Sequence, residues 1–163
     1  MDAELRSILM KKAGAILARR ACSRGELRNR LAKIAGETPV EEVLDRLEQV
    51  NLLNDREYAY NFALHRIRQE GWGPAKVLDS LLRRHVEPEI AESALKRVRD
   101  EVDQSSIMAD YARKYFGKSA PDAKRVCKLI AHLHRRGFAE YSIMDALRRV
   151  VPAALMQRYE TGE

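Results

Sequence analysis

Apolar residues recur every three or four positions along most of the chain, and polar residues fill the positions between them. This spacing is typical of amphipathic helices, whereas the strict alternation that marks half-buried strands is almost absent. Residues 5–20 show the pattern first. The inward face predicted for this first helix consists of Leu5, Ile8, Leu9, Ala13, Ile16 and Leu17.

Capping boxes mark the starts of the next helices. A Ser, Thr or Asn at the cap and a Glu three residues later can satisfy two free backbone N–H groups reciprocally. The pairs with this spacing are Ser23 with Glu26, Thr38 with Glu41, and Asn54 with Glu57. The second helix is predicted to end at Gly36, and the fourth to begin at Asp55. The residues predicted to face inward from the second and third helices are Leu27, Leu31, Ile34, Val43, Leu44, Leu47 and Val50.

Glycines and prolines mark the remaining boundaries. Gly71 can take the left-handed conformation that ends a helix, and Gly73-Pro74 opens the next helix, since proline lacks an N–H that the first helical position does not need. All five prolines lie near predicted helix starts. The other predicted starts are Pro88 for the sixth helix, Ser105 or Ser106 for the seventh, Pro121 for the eighth, Ala139 for the ninth and Pro152 for a short tenth.

The nine main helices form three sets of three with a period of about fifty residues. The pairs Leu27/Leu31, Val77/Leu81 and Val126/Ile130 occupy the same place in the middle helix of each set. Three short helices bury little surface alone, so neighbouring units should stack. We therefore expect an all-α fold of three tandem three-helix repeats, stacked into an elongated, curved array. The expected boundaries are 1–53, 54–103 and 104–150, followed by a tail of 151–163 with a short helix.

Charge follows the same period. Charged residues make up 33% of the chain and the formal net charge is +6. This net positive charge weakly favours a polyanionic partner. Basic residues concentrate in the first two helices of each repeat, whereas the following linker and the third helix are acidic. A surface with both signs of charge favours a protein or nucleoprotein partner over bare DNA alone.

The eighth helix carries the clearest basic stripe. With Val126, Ile130 and Leu133 facing inward, a helical wheel places Lys124, Lys128 and Arg135 along one solvent-facing line. Such a line can follow the phosphates of a nucleic acid. A solvated face without a ligand is an equally good interpretation, because runs of charge often only solvate a surface.

Signals of catalysis are weak. Gly117-Lys118-Ser119 resembles the end of a phosphate-binding loop, but the leading glycine is missing and a helix precedes it. The histidines lack the spacing of metal ligands, and Cys22 and Cys127 are most simply reduced structural thiols. We therefore expect a protein that is not an enzyme and that needs no metal or cofactor.

The expected location is the cytoplasm, without membrane attachment. The chain has no run of about 18 apolar residues. Its first residues lack the hydrophobic segment and cleavage site of a secretory signal.

Arg66 and Trp72 stand out in the central stretch. Arg66 falls on the apolar face of its helix, where an ion pair with Glu70 or with a carboxylate of the third helix is favoured over a partner contact. Trp72 lies between two helix ends and is interpreted as a packing residue at a bend.

The same stretch resembles the signature of a known family. The residues that carry the resemblance are Asn54, Asp55, Tyr58, Ala59, Phe62, Arg66 and Gly73, with Leu53, Gly71, Trp72 and Pro74 beside them. They closely resemble the RecX regulatory proteins of bacteria. Further similarity lies upstream at Ser23, Glu26, Leu27 and Leu31, and downstream at Arg136, Gly137, Phe138, Ile143, Ala146 and Leu147.

The resemblance implies a non-enzymatic modulator of the RecA recombinase, with a role in DNA recombination, DNA repair and the SOS response. It implies a curved repeat array that lies in the groove of the RecA–DNA filament and inhibits ATP hydrolysis, strand exchange and filament growth. On this basis seven basic residues are candidates for binding the filament or DNA. They are Arg24, Arg28, Lys124, Arg125, Lys128, Arg135 and Arg136.

Two alternatives from other classes stay open. A sequence-nonspecific DNA-binding helical protein would bind single- or double-stranded DNA weakly and without RecA, with an affinity that falls as salt rises. A helical-repeat scaffold for an unrelated partner would do neither.

Overall fold

Helices occupy most of the chain, as the hydrophobic spacing predicts. The computed structural model describes residues 3–160, apart from the side chains of residues 158 and 160. Within that range it contains helices and turns and no strand, so the predicted all-α class is confirmed. The helices are α1 (Ala3–Arg19), α2 (Arg24–Leu31), α3 (Glu37–Gln49), α4 (Asp55–Arg68), α5 (Pro74–Arg83), α6 (Pro88–Glu101), α7 (Gln104–Phe116), α8 (Ala123–Arg135), α9 (Glu140–Arg148) and α10 (Ala153–Glu160).

Several of the predicted caps are present. Ser23 Oγ accepts a hydrogen bond from the Glu26 N–H at 3.0 Å, and the Glu26 carboxylate accepts one from the Ser23 N–H at 3.3 Å. Asn54 Oδ1 accepts from the Glu57 N–H at 3.1 Å at the start of α4. Helices α5 and α6 begin at the predicted prolines. These starts could be predicted because each depends on a few neighbouring residues.

The end of α2 differs from the prediction. The helix stops at Leu31 rather than continuing to Gly36, because the N–H groups of Ile34 and Ala35 both donate to the Leu31 carbonyl and form a tight turn. Gly36 is then the N-cap of α3, which places Thr38 inside the first turn instead of at the cap. Ile34 lies beyond the helix and is 42% exposed, so its predicted inward position is wrong.

Aspartates, rather than the residues predicted, cap α7 and α8. Asp103 Oδ1 accepts from the Ser106 N–H at 3.1 Å, and Asp122 Oδ1 accepts from the Arg125 N–H at 2.9 Å. A carboxylate at this position both accepts the free N–H and complements the positive end of the helix dipole. The two helices therefore begin at Gln104 and Ala123 instead of at Ser105 or Ser106 and at Pro121.

The chain divides into two compact units. The first comprises Met1–Phe62 and Asp79–Ala94, and the second comprises Ala63–Leu78 and Leu95–Glu163. The division cuts through the predicted middle repeat, 54–103, so the repeat boundaries stay a prediction. The predicted tail of 151–163 forms α10 up to Glu160, and residues 1–2 and 161–163 lie outside the described range.

The core of the first unit is built by α1, α2 and α3, which all contact one another. Its buried residues are Leu9, Ala13, Cys22, Leu27, Leu31, Val40, Val43, Leu44, Leu47 and Leu53. Leu5, Ile16 and Leu17 pack against this core while partly buried. Ile8 and Val50, predicted inward, are 48% and 45% exposed, because Ile8 lies at the edge of the buried face and Val50 follows the end of α3.

The core of the second unit lies among α7, α8, α9 and α10. Helix α8 has 13 residues and α5 has 10, so an alignment of the two helices by their last residues leaves the extra residues at the start of α8. The buried pair that corresponds to Val77 and Leu81 is therefore Leu129 and Leu133. Ile130, which the fifty-residue period places inward, is only partly buried.

Candidate nucleic-acid and partner interface

The seven basic residues predicted to contact a partner fall into two groups. Four make several contacts inside their own unit, and three point into solvent from α8. The first group is Arg24, Arg28, Arg125 and Arg136, and the second is Lys124, Lys128 and Arg135.

Arg24 lies at the centre of an acidic cluster on α3. Its Nη2 is 2.7 Å from Glu41 Oε2 and 2.6 Å from Asp45 Oδ1, and its Nη1 is 2.6 Å from Glu48 Oε2. The side chain is only 20% exposed. Although burial opposes the charge, the hydrogen bonds to these carboxylates raise the pKa of Arg24 above its ordinary value. The charge of Arg24 is thus compensated within the first unit.

Arg28 strengthens the same link between α2 and α3. Its Nε is 2.5 Å and its Nη2 is 3.2 Å from the two carboxylate oxygens of Glu41, which makes the pair bidentate. The hydrogen bond from Arg28 lowers the pKa of Glu41 despite partial burial. The alternation of basic and acidic helices in the sequence therefore has a structural explanation in this unit.

Arg125 caps the end of α7. Its Nη2 donates to the carbonyl oxygens of Tyr115 at 2.8 Å and Phe116 at 3.2 Å. Its guanidinium also lies 5.5 Å from the ring centre of Tyr115 and 5.2 Å from that of Phe116. A cation is favourable where carbonyl groups lack helical partners, so Arg125 stabilises the connection between α7 and α8.

Arg136, just after α8, holds the turn that follows α4. Its Nη1 donates to the carbonyl oxygens of Glu70 and, at 3.1 Å, Gly71. Its Nε donates to His132 Nε2 at 3.1 Å, and the guanidinium lies 5.8 Å from the ring centre of Tyr111. With these contacts Arg136 fixes the end of α8 within the second unit.

The exposed cations of α8 are different. Lys124, Lys128 and Arg135 are all exposed, and none of them forms an ion pair or hydrogen bond with the part of the chain that the structure describes. At 1.5 Å of rise per residue they extend over about 16 Å of the helix. We call these three residues the α8 stripe. It offers three uncompensated positive charges along one line.

The signature residues of the central stretch have structural contacts. In the first unit Asp55 accepts the Arg24 N–H at 2.7 Å, and Phe62 lies 5.0 Å from the Arg84 guanidinium. The Tyr58 hydroxyl donates to Glu26 at 3.4 Å, and burial with the nearby Glu26 charge raises the pKa of Tyr58 to about 12. Ala59 is fully buried.

Arg66 forms the ion pair with Glu70 that the sequence predicts. Its side chain is 25% exposed, so the pair is only partly buried. The guanidinium also lies 4.7 Å from the ring centre of Trp72, and Lys76 Nζ lies 4.1 Å from it. Trp72 therefore contacts two cations at the bend between α4 and α5.

A second basic group, which the sequence pattern does not indicate, lies in the first unit. Lys12 and Arg19 of α1, Arg20 after it and Arg30 of α2 line one cleft. The signal available in the sequence was the spacing of Lys12, Ile16 and Arg19 on one helical face. This spacing indicates a basic cleft only when Arg30 of α2 lies beside α1, and the spacing alone does not predict that packing.

Over residues 3–160 no group of three side chains is placed to hold a metal ion, and no helix is long and apolar enough to cross a membrane. His134 pairs with Glu140, and His132 contacts Tyr111 at 3.0 Å.

Comparison with known proteins identifies the class of protein to which this fold belongs. Residues 54–95 match the family model described as RecX, second three-helix domain. The crystal structure of RecX from Lactobacillus salivarius superposes with a TM-score of 0.83 at 21% identity, over 91% of this chain and 98% of that one. The fold is therefore that of an all-helical protein of three-helix repeats, as predicted.

Curated relatives identify the family. The chain is 35% identical over 150 residues to the regulatory protein RecX of Prosthecochloris aestuarii, covering 90% of this chain and 95% of that protein. It is 30% identical over 107 residues to the regulatory protein RecX of Lactococcus lactis, where the match covers 64% of this chain and only 39% of the longer relative. The chain belongs to the RecX family of regulatory proteins.

Proposed function

We propose that this protein binds the filament that RecA forms on DNA and inhibits ATP hydrolysis, strand exchange and filament growth. The observation that carries the proposal is the near full-length match to a regulatory protein RecX. The protein acts in the cytoplasm by occupying a surface, and it catalyses no reaction itself.

The α8 stripe supplies the contact with nucleic acid. Each cation that neutralises a phosphate releases a condensed counterion, so three uncompensated cations give a salt-dependent affinity without sequence preference. Arg125 and Arg136 act indirectly, since they fix the two ends of α8 and leave the stripe facing solvent. Arg24 and Arg28 hold α2 on α3 through ion pairs with Glu41, so their main role is structural and a role in binding is secondary.

The test reverses the stripe. The variant Lys124→Glu, Lys128→Glu, Arg135→Glu should inhibit the DNA-dependent ATPase of RecA at least about tenfold less strongly than wild type, because three attractive contacts become repulsive. A matched control carries the same change in charge at Arg68, Lys96 and Arg99, which are exposed in the same unit. Equal inhibition by the stripe variant and wild type would remove the stripe from the proposal.

A second candidate function is nonspecific DNA binding without RecA. The same uncompensated stripe favours it. The two candidates differ in one measurement, the ATPase of RecA on DNA that is present in large excess over the protein. A filament regulator still inhibits under that condition, whereas a protein that merely competes for DNA does not.

A further inference from the structure

The first unit contains a cleft between α1 and α2 that is lined mainly by cations. Its volume is about 230 Å³, and it is open to solvent. The residues that line it are Lys12, Ala15, Ile16, Arg19, Arg20 and Arg30. Four of the six are cations and none is acidic.

Most of this charge is uncompensated. Arg20 Nη2 lies 3.1 Å from Glu26 Oε1, so one cation has a partner. Lys12, Arg19 and Arg30 form no ion pair with the residues that the structure describes. Arg24 and Arg28 on the neighbouring part of α2 are paired with α3 carboxylates. The cleft thus brings together three positive charges that have no ion-pair partner among the described residues.

The shape of the cleft adds to the effect of its charge. Lys12 and Arg19 are seven residues apart on α1 and flank Ile16 on one face, while Arg30 approaches from α2. Cations around a concave, low-dielectric surface focus the positive potential on the space between them. Ala15 and Ile16 give the cleft an apolar floor beneath the charged rim.

We propose that this cleft binds a backbone phosphate of a nucleic-acid strand and that it forms a second contact in addition to the α8 stripe. Guanidinium groups match the oxygens of a phosphate bidentately, and a lysine supplies a mobile charge beside them. The apolar floor suits the sugar that carries the phosphate. This proposal rests on the proposed function in one respect, because the RecA–DNA filament would provide the nucleic-acid strand that the cleft binds.

The test is the affinity for DNA in the absence of RecA. The full-length variant Lys12→Gln, Arg19→Gln, Arg30→Gln is compared with wild type by fluorescence anisotropy on a labelled oligothymidylate over a series of salt concentrations. We expect at least about tenfold weaker binding at low salt. The slope of log affinity against log salt should fall in magnitude by about 0.7, which is the contribution of one neutralised phosphate of a single strand. The single variant Lys12→Gln should lower the magnitude of the slope by less than the triple variant does.

The matched control removes three other cations of the first unit, with Lys11→Gln, Lys33→Gln and Arg56→Gln, all at exposed positions outside the cleft. An equal loss in this control would assign the effect to net charge and overturn the proposal. A loss of polyglutamate binding with oligothymidylate binding unchanged would also overturn it. Because RecA is absent from this experiment, its failure is distinct from a failure of RecA inhibition, which is measured separately.

Discussion

The backbone N–H of Gly73 donates to the carbonyl oxygen of Arg136 at 2.6 Å, so the residue before α5 is hydrogen-bonded to the residue that follows α8. The Ala75 N–H donates to the Gly137 carbonyl at 3.1 Å beside it. Free N–H groups at the start of one helix thus find acceptors beyond the end of another. This arrangement requires two backbones to approach closely, which only glycine permits.

A similar contact between two helix ends occurs in the first unit. Ser23 Oγ donates to the carbonyl oxygen of Arg84, and a Cβ atom on Gly25 would lie 2.7 Å from the carbonyl oxygen of His85. Arg84 and Arg136 both precede a residue with positive φ, His85 in one case and Gly137 in the other. In each unit, therefore, the carbonyl of an arginine that follows one helix accepts a hydrogen bond from the residue that precedes another helix.

Replacing Gly73 with alanine should destabilise the protein. The added Cβ would overlap the backbone of Gly137 and the Phe138 nitrogen, which cannot move like a flexible side chain. We expect a loss of about 3 kcal/mol in the free energy of unfolding, measured with urea. Gly14→Ala is the control, because its Cβ would meet nothing within 4 Å, and alanine should stabilise α1 by about 0.5 to 1 kcal/mol. Equal stabilities for the two variants would contradict the proposed close packing.

Arg136 should contribute to stability, whereas its neighbour Arg135 should not. Arg136→Gln removes the donors that hold the Glu70 and Gly71 carbonyls, and we expect a loss of about 2 kcal/mol in the free energy of unfolding. Arg135→Gln should change it by less than about 0.5 kcal/mol, because that side chain is exposed. The comparison fails if both variants melt at the temperature of wild type.

Protonation of His132 should weaken the same cluster. Burial first, and then the charges of Arg136 and Arg135, lower the pKa of His132 below its ordinary value of 6.5. The folded state therefore binds fewer protons than the unfolded state as pH falls through 6.5, so stability should decrease from that point down to the folded-state pKa. Above that range His132 is neutral in both states and contributes no pH dependence.

The measurement is the melting temperature of wild type and His132→Gln over a series of pH values. Glutamine is neutral at every pH and can still accept the hydrogen bond from Arg136 Nε, so the variant should lose less stability than wild type on acidification. Titration of carboxylates affects both proteins alike and cancels in the difference. Parallel curves would show that His132 does not resist protonation in the folded state.

Arg24 should act mainly on folding. Arg24→Gln leaves Glu41, Asp45 and Glu48 without the guanidinium between them, and we expect a loss of about 2 kcal/mol in the free energy of unfolding. Arg46→Gln on the exposed side of α3 is the matched control, with an expected change below about 0.5 kcal/mol. A variant at Arg24 with native stability and reduced DNA binding would instead support a direct partner contact.

Local signals predicted much of the fold. Ser23, Asn54, Pro74 and Pro88 mark helix starts because a cap or a proline acts on the turn that contains it. The end of α2 was beyond such reasoning. Gly36 has the properties of a helix end, but the tight turn onto the Leu31 carbonyl ends α2 earlier and leaves Gly36 to start the next helix.

The candidate site was less predictable than the fold. Lys124 and Arg125 are adjacent on the same basic helix, yet one is free in solvent and the other caps α7. Which of two neighbouring cations is compensated depends on carbonyls and carboxylates brought from elsewhere in the chain. The cleft of Lys12, Arg19 and Arg30 could not be predicted for the same reason, because its charges come from two helices that only the fold brings together.

The most direct test of the central proposal is the single-stranded-DNA-dependent ATPase of RecA, titrated with this protein while DNA is in excess. We expect inhibition to reach half its maximum well below one molecule per RecA protomer, because a regulator that blocks filament growth affects many protomers at once. Stripe and cleft variants should shift this midpoint upward. Undiminished ATPase at equimolar protein, with binding to DNA intact, would contradict the account and leave nonspecific DNA binding as the function.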